Sequence, residues 1–79
     1  MNKAEAYKIL SEELESLRRM GLDAAIVMLS ESMEFERRGS SGINYCVTIN
    51  IVETTLKGSI HDKNSYRFEI LEEQIELGG

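Results

Sequence analysis

From Ile43 to Glu53 the chain alternates between apolar and polar residues, and this run constrains the fold more than any other. Ile43, Tyr45, Val47, Ile49 and Ile51 share one parity, and Asn44, Cys46, Thr48 and Asn50 share the other. Only the period of two of a β-strand places those large apolar side chains on one face and the polar ones opposite. The strand therefore belongs to an antiparallel sheet with a dry side and a wet side.

The cover for the dry side is sought upstream. Asn2 precedes Glu5 by three positions, the spacing of a capping box with Asn in place of Ser or Thr. A helix is predicted over Lys3–Met20, with Tyr7, Leu10, Leu14 and Leu17 as its apolar stripe and Ala6 beside them. Glu15 stands three and four residues before Arg18 and Arg19, an order worth roughly 0.2–0.5 kcal/mol per pair. Gly21 is placed for a left-handed C-terminal cap. Asp23 then reads as the N-cap of a second, short helix through Leu29, with Leu22 and Val27 as a hydrophobic staple. Ala24 to Leu29 is apolar on every side, the pattern of a buried helix or a buried strand, and the cap at Asp23 favours the helix.

Downstream the period returns to two. Met33, Phe35 and Arg37 alternate with Glu34, Glu36 and Arg38 in a first strand, which Gly39-Ser40-Ser41-Gly42 joins to the central strand as a hairpin. Thr54-Thr55 marks the next bend, and Leu56, Gly58 and Ile60 form the inward side of a third strand. A tight turn is expected at Asp62-Lys63-Asn64-Ser65. Tyr66, Phe68 and Ile70 then point inward from a fourth strand, and Ile75 and Leu77 form a short fifth strand or an apolar strap. The expected fold class is α+β: two N-terminal helices packed on one face of a four- to five-stranded antiparallel meander, in a single domain over residues 1–79.

Composition narrows the possible functions. A chain of 79 residues buries only roughly 60–65% of its extended surface, so its core is thin. The single cysteine, Cys46, leaves no intramolecular disulfide to reinforce that core and no Cys-rich zinc site. A homodimer that completes the core is therefore an expectation. The net charge of −5, from 14 acids and 9 bases, disfavours nucleic acid as a partner. No run of about 18 apolar residues is present, and the N-terminus lacks the apolar core of a signal peptide. The expectation is no membrane partner and a cytoplasmic location.

The chemistry-bearing residues do not assemble into a reaction centre. His61 and Asp62 are adjacent, yet neighbours on a strand point to opposite faces. Cys46 lies on the wet parity, where a small, partly covered residue is the plainer reading than an activated thiol. There is no second histidine for a metal site. Gly39 to Gly42 joins two strands instead of opening a helix, and no Lys-Ser or Lys-Thr follows it, so it is no phosphate loop. The terminal Leu77-Gly78-Gly79 is similar to the end of a ubiquitin-like modifier, but a chain that begins with helices lacks that layout, and a frayed terminus accounts for the glycines. No catalytic, cofactor or metal residue is assigned, and an enzyme is the less favoured reading.

Three stretches together carry a resemblance. They are Glu13-Leu14-Glu15-Ser16-Leu17-Arg18, Tyr45-Cys46-Val47-Thr48-Ile49 and Gly58-Ser59-Ile60-His61-Asp62. With Tyr66-Arg67-Phe68, they resemble a group of short bacterial proteins of uncharacterised function, in which a Gly-Ser-Ile-Asp-Asp segment leads into an aromatic-Arg-x-Phe strand. Here His61 replaces an acid, the residue between Arg67 and Phe68 is missing, and the group's Pro-Asp-Gly ending is absent. The resemblance implies helices followed by a meander and brings no functional residues with it.

The functional expectation rests on the wet face. Asn44, Cys46, Thr48, Asn50 and Val52 lie there with Lys57, Ser59, His61, Arg67 and Glu69, and charge is sparse at its centre, as in the cores of protein interfaces. The leading reading is a non-catalytic interaction module that binds protein, either itself or a partner, through Asn44, Thr48, Asn50 and Arg67. An acidic inhibitor or immunity-type protein, steered onto a basic surface, is its specific form. The alternative is a small-molecule-binding or enzymatic fold with a pocket between the helices and a curved sheet, and with His61, Tyr45 or Tyr66 as polar anchors.

Overall fold

A computed structural model of the chain describes residues 2–28, 32–63 and 70–77. Helix α1 spans Lys3–Met20 and α2 spans Leu22–Met28. Strands β1 (Ser32–Arg38), β2 (Asn44–Val52), β3 (Thr55–Asp62) and β4 (Ile70–Glu76) follow. The described sheet is antiparallel with the order β1-β2-β3-β4, so each strand pairs with its neighbour in the chain.

Helix α1 forms where the capping signal puts it. The Asn2 side chain accepts a hydrogen bond from the Glu5 N–H at 3.1 Å, satisfying one of the free donors of the first turn. Glu15 holds Arg18 through two bonds of 2.8 and 2.6 Å, with Arg19 at 3.6 Å. The buried stripe is Ala6, Ile9, Leu10, Leu14 and Leu17. Tyr7, expected in it, is about half exposed, and its hydroxyl instead bonds the Glu73 carboxylate. Ala6, Leu10 and Leu17 centre the stripe, and Tyr7 and Ile9 flank it on opposite sides, with the core closing over Ile9 and leaving Tyr7 at its margin.

At the end of α1 three expectations change. Gly21 has φ 89° and ψ 165°, a positive φ but an extended ψ, so it is not the left-handed helical cap. Its N–H donates to the Arg18 carbonyl at 3.1 Å, and its own carbonyl accepts from the Ala25 N–H at 3.0 Å. Gly21 thus ends α1 and begins α2, which puts Asp23 inside the first turn of α2 instead of at its N-cap. Val27 is 78% exposed and makes no staple, and Ile26 is also exposed. Among the described side chains of α2, Ala25 alone is buried, and α2 packs chiefly on α1. Leu29, the expected end of this helix, lies outside the described residues.

The core lies between α1 and the inward side of β2, β3 and β4. Tyr45, Val47 and Ile49 of β2 and Leu56 and Ile60 of β3 are fully buried against Leu10 and Leu14. Each such leucine side chain taken from water stabilises the fold by roughly 1.5–3 kcal/mol. The helix approaches closely because Gly58 has no side chain. A Cβ there would stand 2.8 Å from Leu10 Cδ1 and 3.2 Å from Leu14 Cδ2. An ion pair between Arg37 and Glu13 ties α1 to β1.

Strand β4 departs from expectation in phase. Leu71, Ile75 and Leu77 pack against the core, whereas Ile70 is 55% exposed. Pairing decides this: Leu71 stands opposite Ile60 and Ile75 opposite Leu56, which leaves Ile70 beside His61 on the outer face. Of the short fifth strand or strap expected at Ile75 and Leu77, Ile75 is part of β4 itself, and Leu77 follows directly after its end. The expected strand residues Tyr66, Arg67 and Phe68 lie outside the described residues, as do Asn64 and Ser65 of the expected turn and the terminal Gly78-Gly79. The β2–β3 bend falls at Glu53-Thr54, one residue earlier than expected, with Glu53 at φ 57°.

Candidate interaction face

Glutamates fasten two of the sheet's turns. The Glu5 carboxylate accepts from Ser40 Oγ at 2.9 Å, the Ser41 N–H at 3.0 Å, Ser41 Oγ at 2.6 Å and the Tyr45 hydroxyl at 3.0 Å. It sits so close over the turn that a Cβ on Gly39 would collide with it. These donors, Ser41 first, hold the Glu5 pKa down at about 2 against a partial desolvation that raises it. Burial and the neighbouring Glu5 carboxylate push the Tyr45 pKa up. At the opposite end Glu76 accepts from the Thr54 and Thr55 hydroxyls, which lowers its pKa, and the Leu77 N–H donates to the Thr54 carbonyl at 2.7 Å.

The outer face follows from the register. Glu34 pairs with Thr48, Thr48 with Ser59 and Ser59 with Glu72, giving one row across all four strands. Beside it runs Ser32, Asn50, Lys57 and Gln74, and on the other side Glu36, Cys46, His61 and Ile70. Thr48, Asn50, Lys57, Ser59, Glu72 and Gln74 surround a shallow, open basin of about 520 Å³. No described helix lies on this side, since α1 packs on the other.

The structure brings two of the four expected contact residues together. Thr48 and Asn50 are half-buried in the basin, Asn44 is exposed at the start of β2, and Arg67 lies outside the described residues. Sequence reasoning missed Glu34, Glu72 and Gln74. Glu34 was within reach, because a turn over Gly39–Gly42 sets it opposite Thr48. Glu72 and Gln74 were not, because the register of β4 does not follow from the spacing of the preceding turn.

The groups weighed for chemistry divide between the faces. His61 is half-buried outside and Asp62 is buried inside, so the pair diverges. Tyr45 spends its hydroxyl on Glu5 and on the Asn2 carbonyl, on the side of the sheet away from His61, so the two do not converge on one pocket. Tyr66, the third expected anchor, lies outside the described residues. Cys46 stands directly opposite His61 on β3 and Glu36 on β1. Glu36 is engaged by Lys63 at 3.0 Å, and that hydrogen bond raises the Lys63 pKa. Among the described residues no cluster of His, Cys, Asp and Glu is arranged to hold a metal, and no helix is long and apolar enough to cross a membrane.

The fold and face define a two-layer α+β domain with one covered and one open side of its sheet. No family model, curated protein or solved structure matches the chain.

Proposed function

We propose that this chain is a non-catalytic protein-interaction module that captures its partner on the open face of the sheet. One observation carries the reading: β2 is sealed on its inward side, while Thr48 and Asn50 on its outward side remain half exposed around a basin that nothing described covers. The centre of the face bears the hydroxyl and amide groups of Thr48, Asn50 and Ser59, with Lys57 beside Asn50 as the charged residue of these two central strands. Asn44 extends the contact along β2, and Arg67 is a further contact in this proposal. A cytoplasmic setting and an inhibitor-like role against a basic partner belong to the same reading, because a net charge of −5 speeds encounter with such a surface.

Capture from the native host, with wild-type and Thr48→Arg chains as baits, tests this. The substitution places a bulky cation at the centre of the face while leaving the core untouched. The expected result is a folded Thr48→Arg chain that no longer retains the partner. A partner retained equally by both baits would remove the open face from the proposal.

A further inference from the structure

From the charge pattern of the open face we infer that its partner is an extended, basic peptide segment lying across the strands, with two cationic side chains four residues apart. This inference rests on the interaction reading above and specifies the occupant. Glu36 is held by Lys63, Glu76 by Thr54 and Thr55, and Glu73 by Tyr7. Glu34 and Glu72 differ: among the described residues no hydrogen bond or ion pair holds either side chain. They stand at the two ends of one row, with Thr48 and Ser59 between them. Three strand spacings separate them, about 14 Å. In an extended chain, residues i and i+4 point to the same side and also lie about 14 Å apart. A segment with Lys or Arg at those two positions therefore meets both carboxylates at once.

The residues between the carboxylates favour a peptide over other cations. The hydroxyls of Thr48 and Ser59 lie between the carboxylates, and the amides of Asn50 and Gln74 in the next row offer further donors and acceptors to a peptide backbone; Lys57 stands between those amides and keeps the peptide's cations to the Glu34–Glu72 row. A linear polyamine brings ammonium donors but no acceptor, and leaves the hydroxyl and amide donors there unused. A second copy of the chain is disfavoured by symmetry. With the two-fold axis along the strands, Glu34 of one copy lies over Glu72 of the other, and with the axis across them each glutamate lies over itself.

The test titrates the intact, nitrogen-15-labelled chain with the peptide acetyl-Arg-Thr-Ser-Thr-Arg-amide and follows the chain's backbone amide shifts by NMR. The expected shifts centre on Thr48, Asn50 and Ser59. Affinity falls about threefold for Glu34→Gln or Glu72→Gln and about tenfold for both together, while Glu12→Gln on α1 leaves it unchanged. A peptide with its arginines adjacent binds more weakly than the spaced one. Shifts centred on α1, equal loss with Glu12→Gln, or spermine binding as tightly as the peptide would each overturn the inference. If no basic peptide binds yet Thr48→Arg still abolishes partner capture, the basic segment is wrong and the interaction face stands. If Thr48→Arg leaves capture intact, the face itself falls.

Discussion

Strands β2 and β3 present two faces made from alternate residues of the same backbone. Tyr45, Val47, Ile49, Leu56 and Ile60 are fully buried, while Cys46, Thr48, Asn50 and Ser59, each one residue along the chain from a core residue, are half exposed. The difference arises from cover alone: α1 lies on one side and nothing described lies on the other. In a chain this small, stability and recognition can then be kept on opposite sides of one sheet, and a substitution on one side need not disturb the other.

The sharpest way to break this contrast is from within the covered side. Leu14→Ala removes a buried leucine that packs over Gly58, and is expected to cost about 2–5 kcal/mol in a urea titration. Gly58→Val attacks the same contact from the strand, where its Cβ would stand 2.8 Å from Leu10. A cost of about 1–3 kcal/mol is expected, relieved in part by a simultaneous Leu10→Ala. Both effects belong to the covered face, so partner capture by the surviving folded fraction is expected to persist.

The anchorage of α1 responds to acid. Glu5 has its pKa held down at about 2 in the folded chain, against an ordinary 4.5. The folded state therefore binds its proton less readily than the unfolded state. The stabilisation is present above about pH 4.5 and is lost as the pH falls toward about 2. Thermal melts over that window are expected to decline less steeply for Glu5→Gln than for the wild type, by less than either core substitution changes stability. Glu53 belongs to neither face and occupies a positive φ of 57°. Glu53→Gly relieves that conformation, and a gain of about 1 kcal/mol is expected. The smallest change is on the open side: Thr48→Arg is expected to alter folding stability by no more than about 0.5 kcal/mol.

Much of this arrangement was legible in the residue order. The alternation in β2 identified the buried side, and the Asn2–Glu5 spacing located the start of α1, because both signals are local and periodic. Tyr7 and Ile9 were harder to rank, since a helix stripe has two margins and the tertiary partner chooses between them. Strand β4 was misphased for a related reason. Ile70 belongs to one plausible parity and Leu71 with Ile75 to the other, and only pairing with Leu56 and Ile60 distinguishes them. The role of Glu5 was invisible, because its donors at Ser40, Ser41 and Tyr45 lie 35 to 40 residues away. On the open face the hydroxyl and amide residues of β2 were foreseen from parity, but the distant end of their row at Glu72 depended on a register that local spacing does not encode.

The sequential order of the sheet has a consequence for biosynthesis. Helix α1 leaves the ribosome before the strands that cover it, since it rests mainly on β3 and β4, which are made after β1 and β2. Its leucines stay unsheltered until β3 and β4 have been made, so the nascent chain passes through an interval in which an amphipathic helix awaits its sheet. A chaperone that recognises exposed leucine-rich helices would meet this protein during that interval, and the hairpins of the meander, closing one after another, set when it is released.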